Sequence, residues 1–138
     1  GLEPVGSQRC AISERHRLGT AADIVAFCKK RNRLVIVEVK CGYDNGRKAA
    51  AERNGRVCTM QAPLSRVSDC NLHRHLLQLC VTRHLFAAEK ATLARVGELG
   101  VEPEVDAMLL YANDAGVELY ALDEWWRKRG AKILNALA

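Results

Sequence analysis

The chain lacks most of the features that identify common classes of protein. Its 138 residues contain no apolar run of about eighteen residues, so we expect no membrane-spanning helix, and the N-terminus lacks the pattern of a signal peptide. There are no internal repeats, no Gly-rich phosphate loop, no dinucleotide fingerprint and no nucleophile elbow. The sequence therefore offers no support for a Ser/His/Asp hydrolase.

Cysteine is present, but never in the close pairs that are typical of zinc sites. The six cysteines are ten to eighteen residues apart, which argues against a zinc ribbon or finger. Three disulfides of a secreted domain are the alternative. However, Cys28 and Cys41 fall in apolar strand-like segments and Cys80 falls on an apolar helix face, where thiols behave as small hydrophobes. We expect free thiols and a reducing, intracellular compartment.

Charge and length set the remaining limits. The 21 basic and 16 acidic residues give a net charge of +5 and a pI near 9.0, which favours a polyanionic partner. A hydrophobic content of 49% is enough for one core of normal size. We expect a single domain over residues 1–138, and the leading Gly1 suggests that it was excised from a longer protein.

The most informative segment is the apolar run Leu34–Gly42, because it contains two charged residues. Its β-branched side chains predict a strand that is buried on both faces. Side chains alternate along a strand, so Glu38 and Lys40 share a face with Leu34 and Ile36. Charges on a buried strand are costly unless they pair with each other or bind a ligand.

A third charged residue, Asp23, interrupts the apolar stretch Ala21–Cys28, and the polar segment Lys29–Arg33 follows. Two strands with a short polar connection predict an antiparallel hairpin, although sequence alone does not define its register. The hairpin brings Asp23 beside Glu38 and Lys40. Two carboxylates about 4 Å apart repel unless a cation lies between them, and hard oxygen ligands suit Mg²⁺ or Mn²⁺.

These residues resemble the signature of a known superfamily. Asp23, a gap of fourteen residues and then Glu38-Val39-Lys40 are similar to the D…(D/E)-x-K motif of the PD-(D/E)XK, or restriction-endonuclease-like, nucleases. The preceding segment His16–Asp23 resembles the entry to the metal strand in the lambda-exonuclease-like recombination nucleases.

The resemblance extends from about Glu14 to Leu122, with two departures from the pattern. Ala22 stands where the signature has proline. Residues Gly1–Arg17 contain no clear apolar run that would supply the strand usually found before the Asp strand.

The resemblance implies an α/β sandwich in which helices flank a small mixed central β-sheet, with an α-β-β-β-α-β core. It also implies a metal-dependent phosphodiesterase that hydrolyses DNA phosphodiester bonds, as an endo- or exonuclease in DNA processing or repair. Homo-oligomers are common among nucleases of this fold. The implied site has Mg²⁺ or Mn²⁺ held by Asp23, Glu38, the Val39 carbonyl and Glu14, with Lys40 orienting the attacking water and Gln78 positioning a water or the phosphate.

The remaining segments predict a coarse order of elements. It is helix, hairpin, loop, helix, hairpin, helix. The predicted elements after the first hairpin are a long helix capped by Ser68 or Asp69 and reaching about Leu93, strands over 105–113 and 117–122 joined by Asp114–Gly116, and a helix Glu124–Leu137 capped by Asp123. The first helix of this order is predicted over Ala11–Leu18, with Glu14 near its middle.

Two regions are candidates for contact with nucleic acid. The segment Gly42–Val67 is basic and lacks periodicity, so it is either a solvated loop or a flap over the substrate that uses Arg47 and Lys48. On the long helix, Arg74 or His75 is a candidate phosphate contact.

Alternatives to the nuclease hypothesis stay open. Gln78 also fits an ordinary polar residue on a solvated helix flank. Glu38 and Lys40 also fit a buried ion pair in a catalytically inactive nuclease-fold domain that binds nucleic acid or assembles in a larger complex. A third reading is a structural α/β domain whose basic charge is incidental.

Overall fold

The apolar segments form strands and helices of an α/β domain. The computed structural model describes residues 1–42, 52–89, 94, 97, 98, 100 and 104–138. The strands are β1 (Leu2–Ser13), β2 (Leu18–Cys28), β3 (Arg33–Cys41), β4 (Glu52–Arg53), β5 (Arg56–Val57), β6 (Asp106–Asn113) and β7 (Gly116–Ala121), and the helices are α1 (Asn71–Ala88) and α2 (Glu124–Leu137).

Five of the strands make one mixed sheet in the order β1-β2-β3-β6-β7, while β4 and β5 pair separately as a small hairpin. The strands β1, β2 and β3 form an antiparallel meander. The chain then crosses through α1 to β6, which runs parallel to β3, and β7 returns antiparallel to β6. A crossover of this kind is what a parallel pair requires. Neither of these two helices has the length and apolar content needed to cross a membrane.

The N-terminal segment is a strand, so the prediction of a helix over Ala11–Leu18 was wrong. β1 pairs with β2 along most of its length and forms the edge of the sheet. Its side chains are mostly exposed, and Ala11 alone is fully buried. An edge strand with so few buried positions has no apolar pattern, so only its pairing with β2 reveals it. β1 therefore precedes the strand that carries Asp23, in a segment where the sequence showed no apolar run.

The core lies between α1 and one face of the sheet. Buried side chains of α1, among them Leu76 and Leu79, pack with Ile36 of β3 and Leu109 of β6. The helix begins after Cys70, not at Ser68 or Asp69 as predicted. The N-cap residue, Cys70, makes no side-chain capping bond, while the side chains of Ser68 and Asp69 bond to those of His73 and Arg74.

The two elements at the C-terminal end agree with the sequence prediction. β6 and β7 form the expected hairpin, and Asp123 caps α2 by accepting a hydrogen bond from the Trp126 amide at 3.0 Å. α2 packs against α1. Trp126 contributes to this packing, whereas Trp125 is 46% exposed beneath the Arg129 guanidinium.

Arginines and carboxylates tie together the end of the sheet where β3 and β6 begin. Arg33 binds Glu104 at 2.8 Å, and Arg127 of α2 binds the same carboxylate at 2.8 Å. The buried Asp106 also accepts from Arg127, at 3.3 Å. These contacts join β3, β6 and α2 at the end of the sheet opposite Lys40.

The crossing of α1 and α2 depends on a glycine. A Cβ at Gly130 would lie 2.5 Å from the Cβ of Cys80, which belongs to the buried face of α1. Cys80 is itself fully buried, and burial raises the pKa of its thiol to about 12, so it remains an uncharged packing residue. All six cysteines are free thiols.

We predict that Gly130→Ala lowers the free energy of unfolding by about 1–3 kcal/mol, because the methyl group forces the two helices apart. Helix propensity alone gives the opposite sign, a gain of about 1 kcal/mol. Urea denaturation measures the difference. Asn135→Ala on the exposed side of α2 is the matched control, and a Gly130→Ala protein as stable as the wild type would contradict the close packing.

Candidate metal centre

Glu38 lies at the centre of a group of polar side chains between β3 and α1. Its side chain points towards α1 on the same face as Ile36, and the residue is only 3% exposed. The Lys40 ammonium donates to Glu38 Oε1 at 2.6 Å. The Gln78 amide, from α1, donates to the same oxygen at 3.1 Å and accepts from Lys40 at 3.3 Å. The structure therefore brings together these three predicted site residues.

The second carboxylate oxygen of Glu38, Oε2, differs from Oε1 in its hydrogen bonding. Oε2 is buried, and it has no hydrogen-bond partner among the described residues. A buried carboxylate oxygen without a partner is costly, because its hydration is lost and nothing replaces it. Such an oxygen fits a cation ligand.

Asp23 lies where the pairing of β2 and β3 ends. The last pair of this ladder joins Ile24 and Val37, and Asp23 is the next residue of β2. Its Oδ2 accepts a hydrogen bond from the Val39 amide at 2.8 Å. Its Oδ1 accepts from the Gln8 amide at 3.2 Å, so β1 also contributes to the group.

The contact with Asp23 also orients the Val39 carbonyl. In an extended strand the N–H and C=O of one residue point to the same side. Because the Val39 N–H points to Asp23, its carbonyl also faces β2. Asp23, Glu38 and this carbonyl thus place oxygen atoms near the end of the pairing between β2 and β3.

This set of donors fits Mg²⁺ or Mn²⁺ better than zinc. Within the described part of the chain, no group of three or more His, Cys, Asp or Glu side chains could hold a metal ion. Zinc sites use such a group, but Mg²⁺ commonly keeps several waters and takes only one or two protein carboxylates. Asp23 and Glu38, with the Val39 carbonyl, meet that requirement.

His75 lies one helical turn before Gln78 and contacts a residue that the sequence analysis missed. Its Nδ1 is 2.6 Å from the hydroxyl of Tyr111, which is 1% exposed and lies directly opposite Lys40 in the register of β3 and β6. Burial, and to a lesser extent the charge of Lys40, lowers the pKa of His75 below 6.5. The sequence shows Tyr111 as a hydroxyl-bearing residue in an apolar strand. Which residue of β3 lies beside it depends on the register of β3 and β6, and the sequence does not give that register.

The other predicted site residues lie elsewhere. Glu14 is exposed in the turn after β1. That turn is five residues of β2 away from Asp23, or roughly 16 Å at the rise of a strand, so Glu14 is not part of the group. The guanidinium of Arg74 forms a two-point ion pair with Asp69, which raises its pKa. Arg47 and Lys48 lie outside the described residues.

Comparison of the chain with protein-family models, with curated proteins and with solved structures finds no match. The contacts within the chain are therefore the basis for inferring what the site can bind. The Glu38 carboxylate, the Lys40 ammonium and the Gln78 amide bond to one another, Asp23 bonds to the Val39 amide next to Glu38, and Glu38 Oε2 lacks a partner among the described residues. Groups of these types can hold a divalent cation and contact a phosphate together.

We predict that His75 titrates with a midpoint below 6.5 in the folded protein and that Lys40→Met raises this midpoint, because a neighbouring positive charge is lost. Ring-proton chemical shifts against pH measure it. The pKa is lower in the folded than in the unfolded chain. Any stability that His75 contributes is therefore complete above 6.5 and declines as pH falls through the folded-state pKa.

The control for this titration is Lys128→Met, because Lys128 is an exposed residue of α2. It should leave the His75 midpoint unchanged. An unchanged midpoint in Lys40→Met itself would mean that the ammonium is not close to the imidazole.

Proposed function

We propose that the chain is a metal-dependent phosphodiesterase that hydrolyses DNA phosphodiester bonds with Mg²⁺ or Mn²⁺. The observation that carries the proposal is the buried Oε2 of Glu38, which lacks a partner among the described residues. A carboxylate oxygen in this position is stabilised when a cation binds beside it, and Asp23 and the Val39 carbonyl are the oxygen ligands at hand.

Each residue of the group has a role that follows from its contacts. Asp23, Glu38 and the Val39 carbonyl would hold the ion, which when bound lowers the pKa of water and neutralises charge on the scissile phosphate. The Lys40 ammonium, 19% exposed, orients the attacking water and stabilises negative charge on the phosphate oxygens. Gln78 fixes the position of Lys40 through its hydrogen bond.

The fold and the charge of the chain support the same proposal. The order β1-β2-β3-α1-β6, with β3 and β6 parallel, is compatible with the β-β-β-α-β part of the restriction-endonuclease-like core. A net charge of +5 favours a polyanion such as DNA. The free thiols are compatible with a reducing, intracellular compartment.

A second candidate function is a catalytically inactive domain of the same fold that binds nucleic acid or assembles in a larger complex. The observation that favours it is the ion pair of Lys40 and Glu38 at 2.6 Å, in which each charge compensates the other. In such a domain the two charges stabilise each other and no hydrolysis occurs.

We predict that the purified protein cleaves labelled single- or double-stranded DNA only when Mg²⁺ or Mn²⁺ is present. The Glu38→Ala/Lys40→Ala double variant should be inactive, because it lacks a metal ligand and the ammonium. Removing both partners avoids leaving one buried charge unpaired, a change that typically costs about 3–5 kcal/mol. The double variant should therefore stay folded, as circular dichroism can verify.

The matched control removes an exposed carboxylate and an exposed ammonium, Glu124 and Lys128 of α2, which form a weak ion pair remote from the site. The Glu124→Ala/Lys128→Ala variant should cleave as the wild type does. DNA binding without cleavage in the wild type would favour the inactive binding domain instead. If the wild type neither binds nor cleaves DNA, the buried charges have a structural role.

A single change tests the role of Lys40. We predict that Lys40→Ala lowers the cleavage rate about 100-fold or more, the usual effect of removing one electrostatic contact to a transition state. Calorimetric titration with Mn²⁺ should show binding that is retained in this variant and lost in Asp23→Asn. A Lys40→Ala protein with nearly the wild-type rate contradicts the assigned role.

A further inference from the structure

Two residues outside the proposed motif lie against Lys40. Lys40 and Tyr111 are directly opposite each other on β3 and β6, so their side chains point to the same face of the sheet and lie side by side. His75 approaches the same point from α1, and its ring centroid is 5.8 Å from that of Tyr111. Lys40 therefore shares this face of the sheet with Tyr111, to which His75 of α1 is bonded.

The hydrogen bond between Tyr111 and His75 has a preferred direction. The Tyr111 hydroxyl is 2.6 Å from His75 Nδ1. A phenol is a stronger donor than a neutral imidazole N–H, and an imidazole nitrogen is a stronger acceptor than a phenol oxygen. The favoured arrangement is therefore O–H donating to Nδ1, which places the ring proton on Nε2.

The charge of His75 matters for Lys40. Two groups act on the imidazole from β3 and β6: Lys40 through its charge, and Tyr111 through the hydrogen bond. Lys40 is itself paired with Glu38, and Arg74, the residue before His75 on α1, is paired with Asp69. An imidazolium here would repel the ammonium and weaken its contact with Glu38. Burial and the Lys40 charge both lower the pKa of His75, which keeps the ring uncharged near neutral pH.

We propose that Tyr111 and His75 are positioning residues for Lys40. The Tyr111 hydroxyl donates to Nδ1 of a neutral His75, and the pair holds the Lys40 ammonium against Glu38 and Gln78. The effect of this pair on catalysis rests on the proposed nuclease function. Its effect on the position of Lys40 does not depend on that function.

The test compares the wild type with Tyr111→Phe, which keeps the ring and removes only the hydroxyl. Two spectroscopic signals are measured by NMR: the ¹⁵N shifts of the His75 ring and the hydrogen-exchange rate of the Lys40 ammonium. The wild type should carry the ring proton on Nε2. In Tyr111→Phe the ring should lose the preference for the Nε2 proton that the Tyr111 hydroxyl imposes. Ammonium exchange should accelerate by up to roughly tenfold, because the free energy of the lost Tyr111–His75 hydrogen bond is the upper limit of its effect on Lys40.

Two substitutions of His75 separate positioning from packing. Asn keeps an oxygen acceptor close to the position of Nδ1, whereas Leu fills the space without an acceptor. We expect His75→Asn to retain the slow exchange of the Lys40 ammonium seen in the wild type, and His75→Leu to resemble Tyr111→Phe. In DNA cleavage with Mg²⁺, Tyr111→Phe and His75→Leu should lower kcat roughly three- to tenfold and leave KM unchanged.

The matched control is Tyr120→Phe. Tyr120, on β7, makes a hydrogen bond of the same length, 2.6 Å, but to Glu118. It should leave the His75 tautomer, the Lys40 exchange rate and kcat unchanged.

The outcomes separate this inference from the proposed function. A wild-type ring proton on Nδ1, or unchanged Lys40 exchange in Tyr111→Phe, overturns the positioning pair. An active wild type with unchanged kcat in Tyr111→Phe overturns its role in catalysis. A wild type without metal-dependent cleavage refutes the nuclease and with it the catalytic role, while the two NMR signals still decide whether the pair positions Lys40.

Discussion

The burial of the Glu38 carboxylate is the constraint on which the arrangement of this domain depends. A charge at a position that is only 3% exposed requires compensation, and two elements supply it: β3 contributes Lys40 and α1 contributes Gln78. The pairing of β2 with β3 ends at Ile24 and Val37, one residue before the ladder would reach Glu38. The packing of α1 on the sheet therefore also determines which polar groups contact Glu38.

The two oxygens of the Glu38 carboxylate differ in their partners. Glu38 Oε1 receives two hydrogen bonds, whereas Oε2 receives none from the described residues. A domain selected only for stability gains nothing from such an oxygen, since an apolar residue of similar volume would avoid the cost. The unpaired oxygen is the physical reason for preferring a cation-binding site to a structural ion pair. The proposed phosphodiesterase follows from that preference and from the basic charge.

Most of the fold could be predicted because its elements carry local signals. The apolar run with Glu38, the hairpin of β6 and β7, and the cap of α2 at Asp123 all depend on residues close in sequence. β1 could not be predicted, since its side chains are largely exposed and its only strong signal is pairing with β2. Glu14 was predicted as a metal ligand on a helix. It lies instead in the turn between β1 and β2, at the end of β2 that is distant from Asp23.

By itself the sequence determined which residues could carry the chemistry: the charged positions of β3, Asp23 and the polar flank of α1 were all visible as interruptions of apolar patterns. Only the tertiary structure decided how they meet. The register of β2 against β3 sets the contact of Asp23 with Val39, and the register of β3 against β6 sets Tyr111 beside Lys40. The physical reason is that strand register and helix packing are set by contacts distant in sequence, whereas alternation within a strand is local.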